Sequence, residues 1–390
     1  MMLPYSKQSI DQRDIDAVVD VLKSNWLTTG PVVGQFEEAV AHYVSADHAV
    51  AFSNGTAALH AAVSTCGILP GDEVIVPAIT FVATANAVVY CGGTPVFADV
   101  NPRTLLLDPQ DVVRKISSKT RAIIAMDYAG QTCDYPQLKQ IANQNGLKLL
   151  ADGCHSIGAA SFGRHVPEWV DAACYSFHPV KPMTTCEGGM VVTGDQQLNE
   201  QLRKFRNHGI STDHHQRARK GTCFYDMDSL GFNYRLSDVQ CALGLAQLQR
   251  LPEWTRQRAA VAQSYRSHFR QLDYLKPLDT VPGAGHAHHL FVVRWSEEKS
   301  GVSRDDVIRA LREAGIFANV HYRPVYQHSF YQERTKRLRL LRCPNADAVY
   351  PEIISLPMFP AMTEGDVKQV VGTLQAIVES AERERWNKVA

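Results

Sequence analysis

Short apolar runs alternate with segments of helical spacing through the first half of the chain. Between about residues 50 and 195 the runs are four to six residues long, and the segments between them repeat apolar residues every three or four positions. This alternation is typical of a parallel sheet wound with crossover helices, so it predicts an α/β fold. The predicted strands are Glu73–Pro77, Pro95–Asp99, Arg121–Met126, Lys148–Asp152, Ala173–Phe177 and Met190–Thr193. The predicted helices between them are Thr56–Cys66, Thr80–Cys91 and Pro136–Asn145.

The pattern changes after Gln247, where helices and strands are segregated along the chain, as in a small α+β domain. Because 390 residues exceed what one hydrophobic core usually supports, we predict a large domain over residues 1–250 and a smaller C-terminal domain over residues 251–390. The first helix, Asp11–Ser24, could pack on either domain. The predicted elements of the second half are the helices Pro252–Leu272, Arg304–Ala314 and Thr363–Arg383 and the strand His289–Trp295.

Composition and charge narrow the classes of function. Forty basic residues balance forty acidic ones, so no global field favours nucleic acid or a membrane surface as partner. Nine cysteines without a CxxC pair argue against a disulfide framework and indicate reduced thiols, which favours a cytoplasmic location. No stretch approaches the roughly 18 apolar residues of a membrane span, and the first residues lack the apolar core of a signal peptide, so we expect a soluble protein.

The segment SNGTAALHAA, residues 53–62, is the first candidate for chemistry. A strand-like AVAF run leads into a glycine turn and then a helix, whose first N–H groups could bind a phosphate. Gly55 would let the ligand approach the backbone, and Thr56 would add a hydroxyl donor. An ordinary helix cap would have the same residues, so the motif alone leaves both interpretations open.

The second candidate is LKLLADGCHS, where an apolar strand ends in Asp152 and His155 follows three residues later. Ligand sites of α/β sheets gather at the carboxyl ends of strands. A carboxylate there could pair with a protonated pyridine nitrogen, because each charge favours the ionised form of the other. The alternative is a helix-capping aspartate with a structural histidine.

The third candidate is ACYSFHPVKPMTTCEGGMVV, where a strand runs to Ser176 and Lys181 follows in a turn between Pro179 and Pro182. A free lysine has a pKa of about 10.4 and becomes a nucleophile only when that value is lowered. Such a lysine could form a Schiff base with an aldehyde cofactor, although most lysines are solvated surface groups. A phosphate site, a carboxylate at the end of a strand and a lysine in this order are what one cofactor would require.

These motifs resemble the DegT/DnrJ/EryC1/StrS sugar aminotransferases, a family of fold-type I pyridoxal-phosphate (PLP) enzymes, over nearly the whole chain. The resemblance implies a mostly parallel sheet with helices on both faces, a smaller α+β C-terminal domain, and PLP as cofactor. It implies amino transfer, by resemblance from L-glutamate, to C4 of a UDP-4-keto-6-deoxy-N-acetylhexosamine on the route to pseudaminic acid. Segments that carry it are LTTGPVVGQFEEA, SNGTAAL, PGDEVIVPAITFVATANAV, ADGCHSIGA, YSFHPVKPMTTCEGG, GFNYRLSDVQCALGLAQL and VHYRPV.

The resemblance also implies roles for single residues, and no metal ion. Lys181 would hold the cofactor and shuttle a proton, and Asp152 would keep the pyridine nitrogen protonated. Asn233 would contact the phosphate in the partner subunit's site of a homodimer. The other cofactor contacts would be Gly55, Thr56, Phe81, His155 and Ser176. The sugar-nucleotide contacts would be Thr28, Thr29, Gly30, His321 and Tyr322.

Several alternatives remain at this point. Other members of the family act on precursors of bacillosamine or aminoarabinose, or on dTDP sugars, and related dehydratases carry histidine where Lys181 stands. A sensor without enzymatic activity is disfavoured, because no helix has the basic face that reads DNA. The basic segment ERTKRLRLLR, residues 333–342, could approach a diphosphate or be a solvated helix face.

Overall fold

A computed structural model describes residues 2–212, 217, 221–335 and 343–389 of the chain. Its main sheet has seven strands in the order β1-β9-β8-β5-β4-β2-β3. A two-stranded hairpin, β6 and β7, and a three-stranded sheet, β10-β11-β12, complete the strands of this part. The strands of the main sheet are β1 His48–Phe52, β2 Glu73–Pro77, β3 Thr94–Ala98, β4 Thr120–Met126, β5 Lys148–Asp152, β8 Ala172–Ser176 and β9 Gly189–Thr193. The other strands are β6 Ala160–Ser161, β7 Arg164–His165, β10 Leu275–Pro277, β11 Phe291–Trp295 and β12 Ile353–Leu356.

The main sheet is mostly parallel, which confirms the predicted α/β fold class. The five strands β3, β2, β4, β5 and β8 pair in parallel. Strand β9 runs antiparallel to both of its neighbours, β8 and β1. This reversal has a simple cause: the chain returns from β8 to β9 through a turn without a crossover helix, and a parallel pair would need such a crossover.

Helices of the first half connect and cover the strands, and most begin at a residue that caps them. Asn54 precedes α3 and accepts the N–H of Ala57 at 2.8 Å. Asp11 precedes α1, and its side chain accepts the N–H of Arg13 at 2.9 Å. Such caps satisfy N–H groups that the first turn of a helix leaves without partners. These helices are α1 Gln12–Leu22, α2 Pro31–Tyr43, α3 Gly55–Thr65, α4 Val82–Tyr90, α5 Pro109–Lys115, α6 Tyr135–Asn145 and α7 Gln196–Arg206.

The buried apolar side chains form two clusters. The first surrounds the main sheet. The second surrounds the three-stranded sheet and includes Tyr265, Trp295 and Leu374. The helix Leu251–Phe269 contributes to both clusters, and the domain boundary at residue 250 stays a prediction. The other α-helices of the described residues are Asp238–Leu248, Glu297–Ser300, Arg304–Glu313, Ser329–Thr335, Pro344–Val349 and Glu364–Val389.

Helix α1 packs against the helix Asp238–Leu248, which places it with the first cluster. The guanidinium of Arg250 holds this contact, because it pairs with Asp11 at 2.6 Å and with the buried carboxylate of Asp14. None of the helices in the described ranges combines the length and the apolar character needed to cross a membrane.

The segment of residues 3–9, which we call the N-terminal strap, connects the two clusters. The N–H of Leu3 donates to the carbonyl of Gly315 at 2.9 Å, beside the second cluster. Further along, the hydroxyl of Ser6 donates to the carbonyl of Val180 at 3.0 Å. The amide of Gln247 donates to the carbonyl of Ser9 at 3.0 Å. The strap therefore reaches from the small sheet to the turn that carries Lys181.

Candidate functional site

A cavity of about 630 Å³ lies at the carboxyl ends of three neighbouring strands of the main sheet. Strand β4 ends at Met126, β5 at Asp152 and β8 at Ser176, and all three residues line the cavity. His289 and Tyr322, from the second half of the chain, line it as well. The cavity is within the usual size range for a small-molecule site, and the end of a parallel sheet is the usual place for one.

The start of α3 forms one end of this cavity. Asn54, Gly55 and Thr56 all line it. The N–H groups of the first turn have no partner inside the helix, and the helix dipole makes this end partly positive. A Cβ atom on Gly55 would lie 2.8 Å from the Cβ of Ser176, so only glycine allows this close approach. Together with the hydroxyls of Thr56 and Ser176, the backbone here could hold a phosphate.

Asp152 lies at the bottom of the cavity with a side chain that is 2% exposed. The hydroxyl of Thr84 donates to its Oδ2 at 2.6 Å, and the N–H of Cys154 donates to its Oδ1 at 3.2 Å. These two contacts orient the carboxylate but leave lone pairs free, because an ionised carboxylate can accept about four hydrogen bonds. Asp152 could therefore receive a cationic N–H from a bound ring.

Lys181 is half-buried and lines the same cavity. Its backbone N–H donates to the carbonyl of His178 at 2.8 Å, which closes the turn that carries it. Burial lowers the pKa of the Lys181 amine, although the nearby Cys154 and Asp152 act in the opposite direction. A lowered pKa increases the neutral fraction of the amine, which is the nucleophilic form.

Two histidines and a tyrosine form the wall that adjoins the second half of the chain. The hydroxyl of Tyr322 lies 3.1 Å from Nε2 of His155. The rings of His155 and His289 pack with centroids 4.4 Å apart. Burial lowers the pKa of both histidines well below the ordinary value. Both imidazoles are therefore neutral near pH 7.

The structure brings nine of the predicted site residues together around the cavity. Phe81, which immediately precedes α4, is 50% exposed, and its ring lies 5.8 Å from that of Tyr322. The roles assigned to these residues stay predictions. The nine residues are Gly55, Thr56, Phe81, Asp152, His155, Ser176, Lys181, His321 and Tyr322.

The other predicted residues do not line this cavity. Thr28, Thr29 and Gly30 precede α2, where the N–H of Gly30 donates to Oδ2 of Asp238 at 2.8 Å. Asn233 is exposed and pairs with Asn207 in a short bridge. The structure describes only residues 333–335 of the basic segment 333–342, and the rest of that segment lies outside the described residues.

Sequence reasoning did not identify several residues of the cavity. Tyr5 of the N-terminal strap, His178 and His289 all line it, and Thr84 orients Asp152 from α4. His289 was predicted only as the start of a strand. The histidine-rich run HAHHL before β11 is the signal that could have revealed it. Tyr5 and Thr84 have no such local signal, because their position depends on how distant segments pack.

The model of the DegT/DnrJ/EryC1/StrS aminotransferase family matches residues 8–375. The chain belongs to this family. The protein is therefore a sugar aminotransferase that depends on PLP, and the expectations of fold, enzyme class and cofactor from the sequence are confirmed.

Relatives of this sugar aminotransferase align over almost their full length. SpsC, a spore coat polysaccharide biosynthesis protein of Bacillus subtilis (strain 168), is 37% identical over 382 residues, which are 97% of this chain and 98% of SpsC. PseC of Helicobacter pylori, an aminotransferase involved in the biosynthesis of pseudoaminic acid, is 30% identical, with a TM-score of 0.90 over 97% of this chain and 100% of PseC. Spr1654 of Streptococcus pneumoniae in its PMP form is 28% identical, with a TM-score of 0.89 over 97% of this chain and 100% of Spr1654.

The residues of the cavity fit the cofactor that the family uses. A phosphate would meet the start of α3, a pyridine nitrogen would meet the carboxylate of Asp152, and an aldehyde carbon would meet the amine of Lys181. In addition, Nδ1 of the buried His155 has no hydrogen-bond partner in the described part of the chain. A buried polar atom without a partner is costly, so a ligand atom in the cavity would relieve that cost.

The neutral histidines predict that the protein loses stability on mild acidification. His155, His289 and His321 have pKa values in the folded chain that burial lowers below the usual 6.5, to about 4 for His321. They bind fewer protons in the folded state than in the unfolded state, so lowering the pH through 6.5 favours unfolding. Asp127 has the opposite effect on stability. Burial raises its pKa to about 7, so on acidification the folded state binds this proton before the unfolded state does.

Burial also lowers the pKa values of His286 and His288, so the histidines together outweigh Asp127 and we expect a net loss of stability between pH 7.5 and 5.5. For a chain of this size we expect the thermal midpoint of the cofactor-free protein to fall by at least about 2 °C. Thermal unfolding followed by circular dichroism at both pH values measures the change. A midpoint that is constant or higher at pH 5.5 would show that the histidines are not held neutral.

Proposed function

We propose that this sugar aminotransferase transfers the amino group of L-glutamate to C4 of a UDP-4-keto-6-deoxy-N-acetylhexosamine, with Lys181 as its catalytic residue. One observation carries the proposal: an amine with a lowered pKa faces the same cavity as a buried carboxylate and the start of a helix. The similarity to PseC supports the choice of sugar and a place in pseudaminic acid synthesis.

Each part of the cavity would then have a defined task. PLP, when bound, supplies the electron sink that the reaction needs. Lys181 would attach it through Nζ, and the same amine would accept and return the proton that moves during amino transfer. Asp152 would keep the pyridine nitrogen protonated through its charge and a hydrogen bond.

The phosphate would be held by the first N–H groups of α3 and by the hydroxyls of Thr56 and Ser176. Because Gly55 has no side chain, the phosphate can approach this backbone directly. Phe81 would cover the ring, and its exposed face would be buried by the cofactor. The phosphate contacts provide binding energy at a distance from the reacting carbon, which fixes the position of that carbon relative to Lys181.

A homodimer is part of the proposal. Asn233 is exposed and outside the cavity of its own chain, so a role at a phosphate would need a second copy. Thr28 pairs with Ser237, four residues after Asn233, so the two predicted groups share one region of the surface. Phe224 and Tyr225, in the same stretch of the chain, are 83% and 63% exposed, which supports burial of this region in an assembly.

An assay of keto-sugar nucleotides tests the substrate. Purified protein loaded with PLP is incubated with L-glutamate and, in parallel, with a UDP-4-keto-6-deoxy-N-acetylhexosamine, a dTDP-4-keto sugar and a dTDP-3-keto sugar. Mass spectrometry then measures the amino sugar formed. We expect kcat/KM for the UDP sugar to exceed the others by at least about tenfold. Preference for a dTDP sugar would overturn the substrate assignment, although amino transfer itself would still hold.

A further inference from the structure

We propose that Tyr322 is a positioning residue for the cofactor, because its hydroxyl donates to Nε2 of His155 and so fixes the tautomer that carries its proton on Nδ1. That N–H would then donate to the 3-oxygen of the bound ring. The sequence predicted Tyr322 as a contact of the sugar nucleotide, and this inference gives it a different task. It rests on the proposed function, since it requires the cofactor to bind beside Lys181.

The contact between Tyr322 and His155 is the first support. The hydroxyl oxygen lies 3.1 Å from Nε2, and the two rings are stacked with centroids 6.1 Å apart and planes tilted by 29°. Both residues line the cavity. Within the described ranges the Tyr322 hydroxyl makes no other hydrogen bond, so its single proton is available for His155.

The unpaired nitrogen of His155 is the second support. The ring is fully buried, with 0% of its surface exposed, and Nδ1 has no partner among the described residues. A neutral imidazole has one N–H and one acceptor nitrogen. If Nε2 accepts from Tyr322, the only N–H of the ring is on Nδ1. The 3-oxygen of a pyridoxal ring is an acceptor, and a donor N–H is what it requires.

The opposite tautomer of His155 could not donate a hydrogen bond from Nδ1 to the 3-oxygen of the cofactor. With the proton on Nε2, the lone pair of Nδ1 would face an oxygen that also carries lone pairs. Tyr322 can act as the donor at any physiological pH, because burial raises its pKa well above the ordinary value of 10. The hydroxyl therefore keeps its proton, and donating that proton to Nε2 requires the proton of His155 to be on Nδ1.

The groups around His155 keep it neutral and hold its ring in place. Lys181 comes from the turn after β8, Asp152 from the end of β5, and His289 and His321 from the second half of the chain. Lys181 and His321 both disfavour a positive charge on His155, and burial disfavours it more strongly. The ring of His289, 4.4 Å away, packs against it and restricts its rotation.

The variant Tyr322→Phe tests the inference, because it keeps the ring and removes the hydroxyl. The holoenzyme of each variant is titrated between about pH 5 and 10, and the midpoint of the change in its visible absorption band is measured. Without the Tyr322 hydroxyl, the hydrogen bond from His155 to the 3-oxygen weakens. The 3-oxygen then becomes more basic, and the proton beside it dissociates at a higher pH. We expect the midpoint to rise by about half a pH unit or more.

Tyr326→Phe is the matched control. The Tyr326 hydroxyl binds Asp347 at 2.7 Å, and Tyr326 does not line the cavity. Its removal is expected to leave the midpoint unchanged. A Tyr322→Phe midpoint equal to that of the wild type would overturn the inference. So would a higher KM for the sugar nucleotide with an unchanged midpoint, because it would make Tyr322 a substrate contact.

A double-mutant cycle shows whether Tyr322 acts through His155. In a His155→Phe background, adding Tyr322→Phe is expected to cause no further shift, whereas independent roles would give additive shifts and overturn the inference. Nitrogen-15 NMR of the wild-type holoenzyme needs no variant: His155 is expected as the Nδ1–H tautomer, and an Nε2–H signal would contradict this. If the wild type forms no visible band that borohydride removes, the proposed function fails as well.

Discussion

Lys181→Ala is expected to lower the rate of amino transfer by at least about 10³-fold, since it removes both the amine that attaches the cofactor and the base that moves the proton. Lys181 is half-buried beside Asp152, in a turn closed by the carbonyl of His178. No other lysine lines the cavity in the described part of the chain. The rate is measured as kcat for the sugar nucleotide at saturating L-glutamate. Borohydride reduction of the wild type, followed by peptide mapping, should find the label on the peptide that contains Lys181.

Two further variants show whether the loss of activity comes from the reactive amine of Lys181 and not from its positive charge or from removing any lysine. Lys181→Arg keeps a cation at this position but cannot form the attachment, so it should lose activity as Lys181→Ala does. Lys276→Ala removes a lysine on β10 whose side chain is 69% exposed, and it should behave like the wild type. If Lys181→Ala retained activity close to that of the wild type, or if the label mapped to another lysine, the catalytic assignment would be wrong.

Asp152→Asn is the second variant with a large expected effect, a loss of about 10²–10³-fold in kcat. The substitution preserves shape and removes the charge that would keep the pyridine nitrogen protonated. The hydroxyl of Thr84 and the N–H of Cys154 now orient a carboxylate, and an amide would have only one oxygen to accept from them. The measurement is kcat together with the visible spectrum of the holoenzyme.

Asp127→Asn is the matched control for this variant. Asp127 is a buried aspartate that follows β4 and accepts hydrogen bonds from Ser156, Tyr135 and the N–H of Cys133. It does not line the cavity, and burial raises its pKa to about 7, so it is partly uncharged already. We expect a much smaller loss of kcat. Equal losses in the two variants would mean that Asp152 acts through folding and not through charge on the cofactor.

Much of the main sheet could be predicted from the sequence, because buried parallel strands are short apolar runs. The predictions for β2 and β5 coincide with the structure at both ends, and those for β3, β4, β8 and β9 differ by one residue at one or both ends. The direction of β9 could not be predicted from its own residues, since direction depends on the connection that precedes a strand. Helix α2 was missed, although Pro31 at its start is a common signal for one.

In the cavity, too, local sequence patterns predict some residues, whereas the positions of others depend on tertiary packing. Asp152 and Ser176 end strands and the start of α3 follows one, so the rule that ligands bind at the carboxyl ends of strands located them. The contact of Tyr322 with His155 joins residues 167 positions apart, and no pattern near either residue reveals it. Residues on loops from the second half of the chain reach the cavity only through the packing of the two clusters.

The N-terminal strap has a practical consequence for protein engineering. Tyr5 lines the cavity, and Ser6 is bonded to the residue before Lys181, while Leu3 is anchored beside the small sheet. Trimming the residues ahead of α1 to obtain a shorter expression product would open one wall of the cavity and loosen the lysine turn. A shortened version that folds well and purifies easily is therefore a poor reagent for measuring turnover.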